Sequence, residues 1–229
     1  MKKYLKKLVP LFFAVLLAVS FSATVQAKTI TMDQETVTFY SKSSKEYSSF
    51  AGGYITANKS NILKVVSKKA KISSLKSSDK NVASLFVKDG KGSAKGMKAI
   101  MLSAKKAGTV TVSFKVGSDT YKGKITVKKY VSPFSAIKLG NLNLTSKFKS
   151  NGTYVLPYSK YAGKTLKLSY KTQKGWSVYA GYLLKPGDMK ADIVNNNTTF
   201  KVKKKNSALI LNASNTKTNQ HISCMIIFK

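Results

Sequence analysis

The chain has 229 residues, of which 41 are basic and 8 are acidic, and its formal net charge is +33. All of the basic residues are Lys, and one His, one Cys and eight carboxylates are too few for most metal sites, for a disulfide framework or for the acid and base pairs of a hydrolase. Composition therefore excludes most enzyme classes, and we predict no catalytic, cofactor-binding or metal-binding residue, although a hydrophobic content of 43% is sufficient for a buried core.

Residues 1–27 have the features of a secretory signal peptide. Four Lys precede an apolar run from Leu8 to Val19, and Val25-Gln26-Ala27 supplies the small residues of a cleavage site. This run of 12 residues is shorter than the ~20 that a helix needs to cross a bilayer, so we predict no transmembrane segment in the mature chain. Cleavage would leave 37 Lys and 8 acidic residues, a net charge of +29, on a secreted chain that begins at Lys28.

The period of the mature chain is that of β-strands. In residues 109–116 the apolar Val110, Val112 and Phe114 alternate with polar residues, and the same alternation resumes in residues 121–128 after a Gly-Ser-Asp turn. These two segments are predicted to form a hairpin. Further strands of the first half are predicted at Thr29–Met32, Thr36–Tyr40, Ile62–Val66, Lys71–Leu75, Ala83–Val87 and Ala99–Ser103.

A domain boundary is predicted around Pro133, where the strand pattern ends, because proline cannot donate to a β-ladder and favours an extended neighbour. We therefore predict a first domain over residues 28–130, a linker over 131–134 and a second domain over 135–229. Strands of the second half are predicted at Ala136–Leu139, Tyr154–Leu156, Thr165–Tyr170, Trp176–Leu183, Thr199–Lys203, Ala208–Leu211 and Ile222–Phe228. The predicted fold class is all-β, with two β-sandwich domains in tandem after a cleaved signal peptide.

Three segments of the first half form a recognisable set. Residues 72–85 contain a Ser-rich turn before Val82-Ala83, residues 104–112 read Ala-Lys-Lys-Ala-Gly-Thr before alternating Val, and residues 121–128 end in Ile-Thr-Val-Lys. Together they resemble the bacterial immunoglobulin-like domain of the group 2 type, over about residues 28–129. A Trp that often precedes the Ser-rich turn of that family is absent, and residues 89–98 look like an insertion.

The resemblance implies an immunoglobulin-like sandwich in an extracellular protein, often of a Gram-positive bacterium. Such domains serve as adhesin modules, spacers or carbohydrate-associated domains, and the family supplies no catalytic residue. We predict the second domain as a related, immunoglobulin-like sandwich from its strand pattern alone.

Lysine density is the clearest chemical feature of the chain. Lys122, Lys124 and Lys128 share the outward face of one predicted strand, with neighbouring side chains about 7 Å apart, and Lys203, Lys204 and Lys205 form a second cluster. Such clusters favour diffuse contact with an anionic cell-wall polymer, such as teichoic acid, or with an acidic polysaccharide. The alternative is that Lys solubilises the surface and protects strand edges. No specific nucleic-acid motif is present, so no specific nucleic-acid partner is predicted.

Aromatic residues of the second half offer an alternative function. Trp176 alternates with apolar residues and is predicted to lie in the core, which leaves Tyr158, Tyr161 and Tyr179 as candidates for binding a host or cell-surface glycan. The leading prediction is a secreted, non-enzymatic protein that associates non-covalently with the surface of a Gram-positive bacterium. The alternative is a carbohydrate-binding or adhesin module.

The single Cys, Cys224, lies in an apolar alternation near the end of the sequence. Exported proteins meet an oxidising compartment, in which a lone thiol has no intramolecular partner. We predict that Cys224 is buried and unreactive.

Overall fold

The computed structural model describes residues 26–42, 44–48, 50–185 and 191–229. Residues 1–25 of the predicted signal peptide lie outside this range. The described part contains one short α-helix, α1 (Tyr158–Tyr161), and two single-turn 3-10 helices, Ala57–Lys59 and Gly92–Ala94; its other regular elements are strands. The strands of the first half are β1 (Thr29–Thr31), β2 (Glu35–Phe39), β3 (Lys45–Ser48), β4 (Gly53–Thr56), β5 (Asn61–Ser67), β6 (Ile72–Ser77), β7 (Ala83–Asp89), β8 (Met97–Ala104), β9 (Gly108–Val116) and β10 (Asp119–Lys129). Those of the second half are β11 (Phe134–Leu139), β12 (Leu142–Asn143), β13 (Thr153–Leu156), β14 (Thr165–Thr172), β15 (Trp176–Leu183), β16 (Asp192–Ile193), β17 (Thr199–Lys201), β18 (Ser207–Asn215) and β19 (Gln220–Phe228).

The first half folds into a sandwich of two sheets. In one sheet β9 pairs with β6 and β10, and β10 also pairs in parallel with β1 and β2; the other sheet has the order β5-β8-β7. Their facing sides share one core that includes Val110, Val112, Ile125 and Leu102. Strands β6, β9 and β10 opposite β5, β8 and β7 reproduce the C-F-G and B-E-D sheets of an immunoglobulin sandwich.

Alternation along β9 and β10 produces this core, as the sequence predicts. Val112 and Phe114 are fully buried, whereas Thr111 before them and Lys115 after them are exposed. Gly123 takes one of the buried positions of β10, where a Cβ atom would lie 2.9 Å from the Cβ of Met32. The chain between β1 and β2 therefore packs closely against β10 at Gly123.

The second half is a second immunoglobulin-like sandwich. One sheet has the order β12-β11-β14-β17, and the other has the order β13-β19-β18-β15-β16 with β13 parallel to β19. The core between them is rich in aromatic and branched side chains, among them Phe134, Phe148, Tyr182, Leu209 and Phe228. The predicted fold class, all-β with two immunoglobulin-like sandwiches in tandem, is confirmed.

A hairpin formed by β3 and β4 lies between β2 and β5 in the chain and is absent from the sequence-based prediction. At its tip Phe50, together with Ile55, packs on Met101 of β8, on the outer face of the first sandwich. Its two tyrosines, Tyr47 and Tyr54, pack on the second sandwich, against Ala208, Met225 and Ile227 on the outer faces of β18 and β19. The hairpin therefore bridges the two sandwiches.

Buried residues continue the contact between the two halves. Tyr40 and Tyr130 belong to the first half, but both are buried in the core of the second sandwich, with their rings stacked at 4.9 Å. Thr153 fixes the hairpin beside them, because its Oγ1 accepts a hydrogen bond from the Lys45 amide at 2.7 Å and donates to the Lys45 carbonyl at 2.8 Å. The sandwiches thus share a packed interface.

The predicted linker is short and largely buried in the structure. Pro133 and Phe134 are buried, Val131 is exposed, and β11 begins at Phe134. Every strand pair of the described residues lies within one half of the chain, on one side of this connection. The exact limits of the two domains stay a prediction.

Candidate polyanion-binding face

The outer face of the β1/β2-β10-β9-β6 sheet combines hydroxyl and ammonium groups. Register places Lys122 of β10 between Thr31 of β1 and Ser113 of β9, and Ser113 in turn pairs with Lys76 of β6. Paired residues of neighbouring strands lie on the same side of a sheet. We call this surface the Thr/Lys face; its outward residues are Thr29, Thr31, Thr36, Lys76, Thr109, Thr111, Ser113, Lys115, Thr120, Lys122, Lys124, Thr126 and Lys128. Thr38 has the same alternation but is buried against the second sandwich.

No outward position of the Thr/Lys face in the described part of these strands carries a carboxylate. Asp119, at the start of β10, lies on the opposite alternation and accepts a hydrogen bond from the Lys28 amide at 3.3 Å. Glu35 of β2 also lies on the other side of the sheet from these lysines, the side of the buried Val37. Lysine ammonium groups on this face therefore have hydroxyl neighbours along and across the strands, which leaves their positive charge uncompensated within the face.

A shallow groove of about 250 Å³ lies within this face, between β1, β9 and β10. It is lined by Thr29, Thr31, Thr111, Lys122 and Lys124, together with Gly123. Both lysines are exposed, and their positions two residues apart on one strand separate them by about 7 Å. Three hydroxyl donors beside two cations suit the oxygens of a phosphate or carboxylate group.

Lys128 shares this alternation but has a different environment. It is partly buried, and its Nζ donates a hydrogen bond of 2.7 Å to the carbonyl oxygen of Thr218 in the second sandwich. Of the three lysines predicted on β10, the structure therefore places Lys122 and Lys124 in the groove and Lys128 at the contact between sandwiches.

The second predicted cluster lies on the other sandwich, between β17 and β18. Lys203, Lys204 and Lys205 are exposed, and Lys203 Nζ lies 3.3 Å from Asp192 Oδ2. That ion pair is more than half exposed on both sides, so it contributes little to stability. The structure does not join this cluster to the Thr/Lys face.

The predicted aromatic candidates have different degrees of exposure. Tyr158 and Tyr161 are half-buried against the core of the second sandwich, with Tyr161 in an edge contact to Phe228 at 6.2 Å. Tyr179 is 53% exposed. Trp176 packs against the core, as the sequence predicts.

Tyr179 stands on a surface that differs from the rest of the molecule in charge. Strands β15, β18 and β19 contain no Lys, Asp or Glu. Register places Tyr179 beside Asn212, which pairs with Ser223, and the next row contains Ser214 with its Oγ 3.0 Å from His221 Nδ1. We call this surface the uncharged face.

Sequence reasoning missed most hydroxyl groups of the Thr/Lys face, as well as Lys76 and Lys115. A signal was present, because Thr recurs at every second position in residues 29–31, 36–38 and 109–111. The parallel pairing of β1 and β2 with β10, however, is visible only in the tertiary structure.

Two buried titratable groups lie near the contact between sandwiches. Burial raises the pKa of the Cys224 thiol to about 12, and the Tyr130 hydroxyl lies 3.6 Å from its sulfur. Cys224 is fully buried, as predicted, and a thiol with this pKa is protonated and unreactive at neutral pH.

Glu46 of the hairpin is mostly buried and accepts a hydrogen bond from the Ser60 hydroxyl. Burial raises the pKa of Glu46 above its ordinary value, and this hydrogen bond offsets the rise in part.

Replacing Glu46 with Gln should therefore change the pH dependence of stability. A carboxyl whose pKa is raised by folding stabilises the fold below its unfolded pKa, near 4.5, and that contribution is lost as pH rises through the folded pKa. We expect the free energy of unfolding of Glu46→Gln, relative to the natural chain, to increase from acid to neutral pH. Urea unfolding over a pH series measures this difference, and a constant difference across the series would contradict the expectation.

Among the described residues no helix is long and apolar enough to span a bilayer, and no three His, Cys, Asp or Glu side chains are grouped so that they could hold a metal ion.

The fold and the surface together define a protein of two tandem immunoglobulin-like sandwiches, the first of which carries the Thr/Lys face. No protein-family model matches the sequence, and no curated protein matches it. Solved structures similar to the chain include domains 4–9 of the surface layer protein SbsC, with 13% identity over 86% of this chain and a TM-score of 0.28. This chain spans 30% of the length of that fragment.

Two further similar structures contain repeated or adhesive domains. The tandem Ig repeats of Dlar match with 10% identity over 90% of this chain and 96% of that chain, with a TM-score of 0.33. The Yersinia pseudotuberculosis adhesin InvE matches with 11% identity over 85% of this chain and 56% of that chain, with a TM-score of 0.21. All of these TM-scores are below 0.5, so the fold assignment rests on the strand order described above.

Proposed function

We propose that this protein is a secreted, non-enzymatic immunoglobulin-like protein that associates with the surface of a Gram-positive bacterium by binding an anionic polymer, teichoic acid or an acidic polysaccharide, on the Thr/Lys face. The observation that carries the proposal is the groove that Thr29, Thr31 and Thr111 line together with Lys122 and Lys124. The proposal includes the group 2 type of bacterial immunoglobulin-like domain for the first sandwich, on the motif segments of its sequence.

The chemistry of the face favours a repeating anion over a single tightly held one. Lysine is a mobile point charge without the planar fork with which Arg binds a phosphate bidentately. Neighbouring ammonium groups on a strand can contact successive charges of one chain, and Thr hydroxyls can donate to their oxygens. A net charge of +29 on the mature chain adds long-range attraction for such a polymer.

Binding of the mature chain to purified teichoic acid, measured across a salt series, tests this function. We expect the logarithm of the binding constant to fall linearly with the logarithm of salt concentration, because bound counterions are released from the polymer. Exposed charges are screened over about 3 Å at 1 M salt. Binding that is unchanged from low to molar salt would refute the proposal.

The uncharged face supports a second candidate function, the binding of a neutral glycan. Tyr179 is exposed there among Asn and Ser side chains, and an aromatic ring on a polar, uncharged surface is a suitable platform for a sugar ring. Tyr158 and Tyr161 remain weaker candidates for the same ligand because their rings pack against the core.

Tyr179→Ala provides the test of this second candidate. Its ring is exposed, so the substitution should leave stability almost unchanged while it weakens binding to neutral members of a glycan array. Tyr158→Phe is the control, because it removes the hydroxyl that donates to the Lys203 carbonyl at 3.4 Å but keeps the ring. Equal array signals from the natural chain and Tyr179→Ala would exclude Tyr179 as a glycan platform.

A further inference from the structure

A polar cleft lies between the two sandwiches, away from the groove of the Thr/Lys face. Its walls come from β2 and the residues before it, from the start of β5 and from the turn between β18 and β19. It has a volume of about 400 Å³, within the range of small-molecule sites, which occur preferentially at domain interfaces. The residues that matter for its chemistry are Gln34, Glu35, Asn61, Ile62, Asn219 and His221.

Hydrogen bonds between the sandwiches hold the walls of this cleft in place. The Thr38 hydroxyl donates to the His221 carbonyl at 3.3 Å, and the Gln220 side-chain amide donates to the Lys129 carbonyl at 3.1 Å. Gln220 is buried. These bonds join the strand pair β2–β10 to the β18–β19 turn, so the cleft is formed before any ligand arrives.

One group in the cleft is incompletely satisfied. The Nδ2 atom of Asn61 is buried and has no hydrogen-bond partner among the described residues. A buried polar donor without a partner is destabilising, which is a reason to expect a ligand or another acceptor at this position.

The charge of the surroundings favours an uncharged ligand. An anion in the cleft would face the Glu35 carboxylate, and a cation would have to approach a chain with a net charge of +29. Burial, and to a smaller extent the negative charge of Asp33, raises the pKa of Glu35. This direction agrees with a site that disfavours ionic groups.

The polar groups of the cleft match hydroxyl groups. Gln34, Asn61 and Asn219 carry side-chain amides that both donate and accept, and Glu35 accepts at two oxygens. Neighbouring hydroxyls of a sugar ring need this combination of donors and acceptors. Ile62, which is 37% exposed, adds an apolar surface for the C–H groups of such a ring.

We propose that the cleft between the sandwiches binds one uncharged sugar residue, held by the amides of Asn61, Gln34 and Asn219 and by the carboxyl group of Glu35. This site is distinct from the groove of the Thr/Lys face, although Thr36 of that face also lines the cleft, and it goes beyond the proposed polymer binding. It is also distinct from Tyr179, which belongs to β15.

Saturation-transfer NMR on the mature chain tests the proposal, with glucose, galactose, mannose and N-acetylglucosamine as probes at millimolar concentration. We expect transfer from at least one of these sugars at low and at molar salt, because the contacts involve no ligand charge. Asn61→Leu should weaken that binding about tenfold or more, since it removes a buried hydrogen-bond donor. The melting temperature of Asn61→Leu should equal or exceed that of the natural chain, because the unpartnered amide is lost.

Controls separate this site from the two proposed surfaces. The pair Lys122→Gln with Lys124→Gln should leave sugar transfer unchanged, while Glu35→Ala should weaken it as Asn61→Leu does. Sugar transfer should persist in Tyr179→Ala, and Asn61→Leu should weaken it there as well. Absence of transfer from all four sugars would overturn the proposal, as would equal transfer from the Asn61→Leu and natural chains. If the natural chain shows sugar transfer but does not bind teichoic acid, the proposed polymer function is overturned and the proposed sugar site is not.

Discussion

Replacing Lys76, Lys115, Lys122 and Lys124 together with Gln is expected to weaken binding to teichoic acid on the order of a hundredfold at physiological salt. All four side chains are exposed on the Thr/Lys face. Each phosphate contact changes the slope of the logarithm of the binding constant against the logarithm of salt by about 0.7–0.9, which corresponds to roughly fourfold in affinity per lysine at that salt concentration. The salt slope itself should fall by about three or four.

A control variant of equal net charge distinguishes the effect of total charge on polymer binding from the effect of the Thr/Lys face. The matched control replaces four exposed lysines elsewhere with Gln, at Lys160, Lys171, Lys174 and Lys201, and has the same net charge as the test variant. We expect the control to lose much less affinity, because only long-range attraction is reduced. An equal loss in both variants would mean that polymer binding is a property of total charge and not of the Thr/Lys face.

Tyr40→Ala is expected to destabilise the second sandwich, although Tyr40 belongs to the first half of the chain. The ring is 4% exposed and stacks on Tyr130 within the core of the second sandwich. Truncation of a large buried aromatic residue to Ala costs about 3–5 kcal/mol. The single Trp of the chain, Trp176, packs against the same core, so its fluorescence during urea unfolding reports on the second sandwich.

The expected result is a Trp176 transition at clearly lower urea concentration in Tyr40→Ala than in the natural chain. Tyr179→Ala removes an aromatic ring of the second half that is exposed, and it should leave the midpoint nearly unchanged. An unaltered Trp176 midpoint in Tyr40→Ala would show that the two sandwiches are stable independently of one another, contrary to the buried contact described here.

Regular alternation made the two halves predictable as β-sandwiches. The hairpin of β9 and β10 was predicted closely, since each of its strands buries one side and exposes the other. The strand Trp176–Leu183 was predicted with the same bounds, although only its first half alternates and its last four residues are all buried. Strands β3 and β4 have only 4 residues each, and their aromatic residues are buried by contact with the second sandwich. Burial of these residues depends on a surface far away in the chain, so their sequence shows no regular alternation from which the strands could be predicted.

The candidate site was predictable to a similar extent. Alternation in β10 alone places Lys122 and Lys124 side by side, because successive side chains of a strand point to opposite faces. It also grouped Lys128 with them, whereas the structure directs the Nζ of Lys128 to a carbonyl of the other sandwich. The cleft residues Glu35, Asn61 and His221 are separated by up to 186 positions in the chain, and no spacing rule relates them.

The sequence by itself determined the strand content, the two sandwiches, the burial of Cys224 and a charge of +29 after removal of the predicted leader, because these depend on local alternation and composition. Only the tertiary structure decided which side chains share a surface. Parallel pairing of β1 and β2 with β10 surrounds lysines with threonines, and packing of the β18–β19 turn against β2 forms the cleft. Both depend on contacts between residues far apart in the chain, which local periodicity does not encode.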